Sequence, residues 1–274
     1  MHVSCSCLAC AMDRFPEVED ALSTLRDLGF RACDLDIFEN WQHINPSDLA
    51  RDPDAWAARL GKAMADNGLA VSSFNCGLSQ RLADPDPAAF EQYCSEFAAL
   101  LTLADALACP NITLQPGPVL EGIGRAAQLQ TMGDHLARLA DLRGDRPLTI
   151  GLEGHAHTLI ERPEEAIPLI DRVWPAVGYT YDPSHPELQG IPLPATEPLF
   201  DRICHVHVRN ASLEKMQDTM ADGTVDFAWI VTALEAHGYD GALAIEYFGD
   251  FDPDFTSVAA LRDHLVGLGV DPQP

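Results

Sequence analysis

The chain has 274 residues, 47% of them hydrophobic, a length that suits one domain built from eight strand-helix units. Its 42 acidic against 17 basic residues give a formal charge of −25, which repels phosphate backbones and argues against a nucleic-acid substrate. No apolar run reaches the roughly 18 residues of a membrane helix, and Met1 to Phe15 lack the basic start and long apolar stretch of a secretory signal, so a soluble cytoplasmic enzyme that uses no membrane is expected.

Apolar or β-rich runs recur roughly every 25 to 45 residues, and the stretches between them mostly carry helical periodicity, the alternation of a parallel sheet built from strand-helix units. The first run is 3–9. In it Cys5 and Cys7 alternate like one strand face, and with Cys10 their spacing fits no zinc pattern, so the eight cysteines are taken as reduced thiols. Val18, Ala21, Leu22, Leu25 and Leu28 then share a helical face that Gly29 stops. Run 32–38 follows. A helix with Trp56, Leu60 and Met64 ends at Asn67-Gly68, before runs 69–76 and 111–115.

The last four runs alternate more tellingly. In 148–153, Leu148, Ile150 and Leu152 face the helices while Thr149, Gly151 and Glu153 face inward; in 177–182, Tyr179 and Tyr181 face out while Gly178, Thr180 and Asp182 face in. The Pro-rich stretch 191–198 is expected to be a loop before a short helix at most. In 203–208, Cys204, Val206 and Val208 face out and His205 and His207 face in. A helix with Trp229, Ile230, Ala233 and Leu234 is capped by Asp226 and stopped by Gly238. In 242–247, Leu243 and Ile245 face out while Ala242, Ala244 and Glu246 face in. With no linker or low-complexity tract in the chain, residues 1–274 are predicted to form a single-domain (β/α)8 TIM barrel.

Such barrels carry their active sites at the C-terminal ends of the strands. Four adjacent strands deliver Glu153, Asp182, His207 and Glu246 to that rim, where three carboxylates would repel unless a cation neutralised them. The competing explanation, that each acid merely caps the helix after its strand, needs four coincidences. A donor set of oxygens and one imidazole suits Mn²⁺ first, with Mg²⁺, Co²⁺, Fe²⁺ and Zn²⁺ as alternatives.

At these residues the chain resembles the sugar phosphate isomerase/epimerase superfamily of xylose isomerase-like barrels. The resemblance is carried by LTIGLEGH with Glu153, YDPSH with Asp182 and His185, HVHVRN with His207, DGTVDF, and ALAIEYF with Glu246. It implies one divalent metal on Glu153, Asp182, His207 and Glu246, a substrate-side histidine at His185 and a basic group meeting substrate at Arg209. It also implies a carbohydrate or polyol substrate and assembly as a homodimer or homotetramer. His155 is a candidate for substrate contact, with His157 a weaker one, and His205 is expected below the metal. Asn75 and Gln115 stand where the superfamily's DNA-repair branch carries further metal ligands, mainly histidines, which together with the acidic charge argues against endonuclease activity. Both are candidates to hydrogen-bond substrate hydroxyls.

The chemistry expected of this set is proton transfer. A metal chelated by adjacent carbonyl and hydroxyl oxygens acidifies the C–H bond between them and makes an enediolate accessible. Glu153 and Glu246, at the two ends of the four-strand arc, would act as base and acid. Isomerase or epimerase of a sugar, sugar phosphate or keto-polyol is the first reading. The alternatives are a lyase acting on an inosose, a dehydroshikimate-like acid or a 3-keto-glycoside, and a partner subunit that has lost catalysis. Ketose 3-epimerases carry a second glutamate six residues after the first ligand; here that position is Leu159, which argues against a free-sugar 3-epimerase.

Overall fold

The computed structural model describes Met1–Pro274. Its eight strands are β1 (His2–Ser6), β2 (Ala32–Phe38), β3 (Ala70–Gly77), β4 (Asn111–Leu114), β5 (Thr149–Glu153), β6 (Val177–Tyr181), β7 (Ile203–Val208) and β8 (Ala242–Ile245). They pair in parallel in chain order, and β8 returns to β1, closing the barrel. Closure removes every strand edge, so each strand satisfies its backbone groups on both sides.

Between β1 and β2 runs α1 (Val18–Asp27), and between β2 and β3 run α2 (Pro46–Arg51) and α3 (Pro53–Asn67). The helices α4 (Pro87–Leu107), α5 (Arg125–Arg143) and α6 (Pro163–Ile170) follow β3, β4 and β5 in turn. After β6 come α7 (Ser184–Leu188) and a 3-10 helix (Leu193–Arg202), and α8 (Phe227–Ala236) and α9 (Thr256–Gly267) complete the ring. Proline opens α2, α3, α4 and α6, where its missing N–H costs nothing and its fixed φ suits the first turn. The anticipated stops hold: Gly29 and Gly68 take left-handed backbone after α1 and α3, and the Asp226 side chain caps α8 by accepting from Trp229 N at 3.0 Å.

The apolar core is the layer between strands and helices, where Leu35, Ile37, Ile150, Leu152, Val206, Leu243 and Ile245 are all fully buried. Inside the barrel the chemistry is different. Asn111 Nδ2 donates to Ser73 Oγ at 2.9 Å, Thr113 and Thr180 hydroxyls meet at 2.8 Å, and His205 Nε2 lies 2.7 Å from Asp34 Oδ2. The space that small inward residues leave beneath the strand ends is therefore filled by a hydrogen-bonded polar column.

Three expectations about local structure need correction. First, β1 ends at Ser6 and not Ala9. Leu8 N donates to Ser6 Oγ at 3.1 Å and to Asp36 Oδ2 at 2.9 Å, which bends Cys7–Ala9 into a 3-10 turn and takes Cys7 off the strand face shared with Cys5; all eight cysteines are free thiols. Second, the stretch 191–198 runs into a ten-residue 3-10 helix. Third, Cys204 does not face the helices. The register of β6 against β7 slips between Tyr179 and Thr180, and the extra residue turns Cys204 Sγ to within 3.2 Å of where a Cβ on Gly151 would stand. A β-bulge has this effect because it leaves one residue unpaired and reverses the alternation locally.

Candidate metal centre and active site

Glu153 is the last residue of β5, Asp182 follows β6, His207 lies near the end of β7 and Glu246 follows β8. The structure brings the four together: one donor atom from each lies within 4.8 Å of all the others, and none of the four residues is more than 3% exposed. His207 Nδ1 is 2.8 Å from Glu153 Oε1 and 3.6 Å from Glu246 Oε2. Gly151, two residues before Glu153, leaves room for Thr180 on the neighbouring strand β6 and Cys204 on β7 beyond it.

Arg209, two residues beyond His207, is buried among the acids. Its Nη2 donates to Asp182 Oδ2 at 2.7 Å, its Nη1 pairs with Glu246 Oε2 at 3.0 Å and its Nε donates to Ser184 Oγ at 2.9 Å. Three carboxylates less one guanidinium leave two formal negative charges, which a divalent cation offsets. Four buried donors at this separation, hard oxygens with one imidazole, fit such an ion.

Electrostatics splits the two glutamates. Burial pushes Glu246 above the ordinary carboxylate range, reinforced by Glu153 and Asp182 and opposed by His207 and Arg209. Burial also works against the Glu153 anion, but His207, helped by His155 and His185, outweighs it and holds Glu153 low. Burial disfavours a charged His207, yet Glu246 and Glu153 raise it well above its usual value. Since these acids favour a proton on the imidazole, binding of a divalent ion should release it and the affinity should fall as pH is lowered. Calorimetric titration with Mn²⁺ in two buffers of different ionisation enthalpy measures the release; identical heats in both would contradict it.

The remaining candidates take more specific places. Asn75 Nδ2 donates to Glu246 Oε1 at 2.7 Å, and Gln115 Nε2 donates to Glu153 Oε2. Both amides thus orient the glutamates, while Asn75 Oδ1 stays buried with no partner, ready to accept from a hydroxyl. His185 packs against His155 with the rings tilted by 39° and their centroids 3.8 Å apart, and it keeps an unpartnered, buried Nδ1. Burial, then the neighbouring His155 and Arg209, push His185 well below its usual pKa, so it is neutral. Asn75, Gln115, Glu153, His155, Arg209 and Glu246 line one cavity of 130 Å³. His157 is exposed on a turn with φ 65° and takes no place in it.

Sequence reasoning missed Asp34 and Asp36. Asp34 accepts from Ser72 Oγ at 2.6 Å and holds His205, and its Oδ2 lies 3.4 Å from His207 Nε2. Asp36 accepts from Ser6 Oγ at 2.7 Å, and burial raises its pKa well above the usual carboxylate value. The available signal was two acids spaced two apart in the otherwise apolar run ACDLDIF, which places both on the inner face. Leu159 is fully buried.

Gly154 carries a backbone demand of its own, since a Cβ there would overlap the Tyr179 hydroxyl. Gly154→Ala should therefore destabilise the barrel by about 1–3 kcal/mol and displace Glu153. Thermal melts with and without Tyr179→Phe check this, the double variant recovering part of the loss.

A family model described as the xylose isomerase-like TIM barrel matches residues 22–265. An inosose dehydratase of Geobacillus thermodenitrificans (strain NG80-2) is 30% identical over 133 residues, spanning 41% of this chain and 45% of that protein, less than half of its length. Among solved structures, a D-tagatose 3-epimerase-like protein superposes with a TM-score of 0.79 at 18% identity over 98% of both chains. An IolI protein solved with a bound zinc atom superposes with a TM-score of 0.75 at 14% identity, again over 98% of both chains. At these identities the two structures speak for the fold alone.

Proposed function

The chain belongs to the family of xylose isomerase-like TIM barrels, and from that premise we propose that it is a single-domain, divalent-metal-dependent isomerase or epimerase of a sugar or keto-polyol. The observation that carries the proposal is the convergence of Glu153, Asp182, His207 and Glu246 within 4.8 Å at the C-terminal face of the barrel. Mn²⁺ is the ion we favour on donor hardness, with Zn²⁺, the ion bound in the similar IolI structure, as its main competitor.

A divalent ion on these four residues would withdraw charge from a substrate carbonyl and its neighbouring hydroxyl, acidifying the C–H bond between them. The chain's own groups then move the proton. Glu153, held as an anion, is the base; Glu246, held above the usual carboxylate range, is the acid that returns a proton to the carbon. Gln115 and Asn75 fix the two carboxyl groups from the cavity side, and the unpartnered Asn75 Oδ1 in that wall is free to take a substrate hydroxyl, with His185 Nδ1, packed against the cavity-lining His155, a second unpartnered acceptor beside it. Arg209 locks Asp182 and Glu246 and, lining the same cavity, is the basic group placed to meet substrate.

The matched stretch of inosose dehydratase favours one second reading, loss of water from the same activated carbon pair. Product analysis by NMR separates the two. The Mn²⁺-loaded protein should convert at least one member of a panel of ketoses, 3-keto-glycosides and inososes, yielding an epimer or isomer by the first reading and an unsaturated ketone by the second. Full metal occupancy with no conversion of any of them would overturn both in favour of a non-catalytic subunit.

A further inference from the structure

The catalytic chamber is smaller than the space that adjoins it. Beside the 130 Å³ cavity lies an outer one of 640 Å³, and Leu8, Trp41 and Phe248 line both, so the two share a wall. That wall is aromatic. Trp41 packs edge-on against Phe38 and Phe248 with centroids 5.0 and 5.7 Å apart, and the Arg209 guanidinium sits 5.4 Å from the centre of the Phe248 ring, tying the wall to the acids behind it.

Three further features give the outer cavity a chemical character. Met12, Trp41 and Phe251, all lining it, stand 41%, 49% and 38% exposed, a cluster of large apolar side chains of the kind that marks a binding surface. Gln42, also in its wall, is 7% exposed and its Oε1 is buried without any hydrogen-bond partner; native folds rarely leave such an acceptor unmatched. Asp13 and Asp250 complete the polar side. No lysine lines either cavity, and the one arginine, Arg209, is already engaged by Asp182 and Glu246.

We infer that the outer cavity is a subsite for a second, uncharged sugar ring, so that the substrate is a neutral glycoside whose reacting ring enters the inner cavity. The inference rests on the reading above and names the substrate class of that same site. A sugar ring offers a C–H face to pack on Trp41 and Phe248 while its hydroxyls reach sideways to Gln42 Oε1, Asp13 and Asp250. A purely aromatic group would cover the wall but leave Gln42 without a donor. A phosphate or carboxylate would meet Asp13 and Asp250 with no free cation to pair with.

Calorimetry on the full-length Mn²⁺-loaded protein tests this with ligands that need not react: glucose, glucose 6-phosphate, and the disaccharides cellobiose, maltose and trehalose. At least one disaccharide should bind about tenfold or more tighter than glucose, a difference near 1.4 kcal/mol, and glucose 6-phosphate should bind no tighter than glucose. In Gln42→Leu and in Phe251→Ala the disaccharide-to-glucose affinity ratio should fall towards one. Equal affinities for all the neutral sugars, a preference for the phosphate, or a ratio unchanged in both variants would each overturn the subsite. Sedimentation run alongside covers the other occupant: a dimer that quenches Trp41 fluorescence, with no disaccharide preference, assigns the surface to a second copy of the chain. Deuterium exchange by the same protein on the ketoses, inososes and 3-keto-glycosides of the panel above keeps the two proposals apart. Disaccharide preference without exchange retains the subsite and sinks the proton-transfer reading, whereas exchange on single-ring ketoses without disaccharide preference does the reverse.

Discussion

Glu246→Gln is expected to leave the barrel folded while slowing proton exchange at the substrate carbon by about 10²–10⁴-fold, the usual contribution of a positioned acid or base. The substitution keeps the volume of a residue that is 3% exposed, and a glutamine carbonyl can still accept from Asn75 Nδ2, now 2.7 Å from Oε1. What it removes is the titratable proton and the charge that faces Arg209 Nη1 at 3.0 Å. Loss of that charge also weakens the metal site, so occupancy is measured by elemental analysis of the same preparation and the rate is compared at saturating Mn²⁺. Exchange at the wild-type rate would show that Glu246 handles no proton.

Asp34→Ala should cost about 1–3 kcal/mol, the penalty for leaving a buried hydrogen-bonding group unmatched, out of a total stability of order 5–15 kcal/mol for a domain. Asp34 is wholly buried, accepting from Ser72 and holding His205. Burial works against its anion, but His205 and then His207 outweigh it and hold the carboxylate well below its usual pKa. Alanine leaves the His205 Nε2 unmatched in the barrel axis and the Ser72 hydroxyl with Ser4 Oγ as its remaining partner. It also removes the carboxylate 3.4 Å from His207 Nε2, so metal affinity should drop about 10–100-fold, as losses behind a liganding histidine do. Urea unfolding and Mn²⁺ titration measure the two effects. A destabilisation below about 0.5 kcal/mol, ordinary for an unimportant surface position, would contradict this account of the polar axis.

The donor set was legible because strand alternation is a local property: once 148–153, 177–182, 203–208 and 242–247 are read as strands, the inward end of each follows from period two alone. What supports that set was not legible, for it depends on contacts between distant positions. Asn75 reaches Glu246 across 171 positions of sequence, and His205 reaches Asp34 across the same number. Only the closed ring brings these ends together, so the bonds that Asn75 and Gln115, both lining the cavity, make to Glu246 and Glu153 could not be read from the sequence. Cys204 failed for a similar reason, since a slip in the register of two strands leaves no trace in either one. The short β1 is a milder case, in which Ser6 and Asp36, on neighbouring strands, jointly hold Leu8 N and end the strand early.

The central claim is that these four residues hold a divalent ion that makes a carbon-bound proton labile. It is tested most directly by following deuterium incorporation beside the carbonyl, by NMR in D₂O, across ketoses, inososes and 3-keto-glycosides, with the same protein Mn²⁺-loaded, stripped by chelator and reloaded. The account expects incorporation on at least one substrate, its loss on stripping and its return on reloading with about one equivalent of metal. Incorporation that persists undiminished in the stripped protein would contradict it.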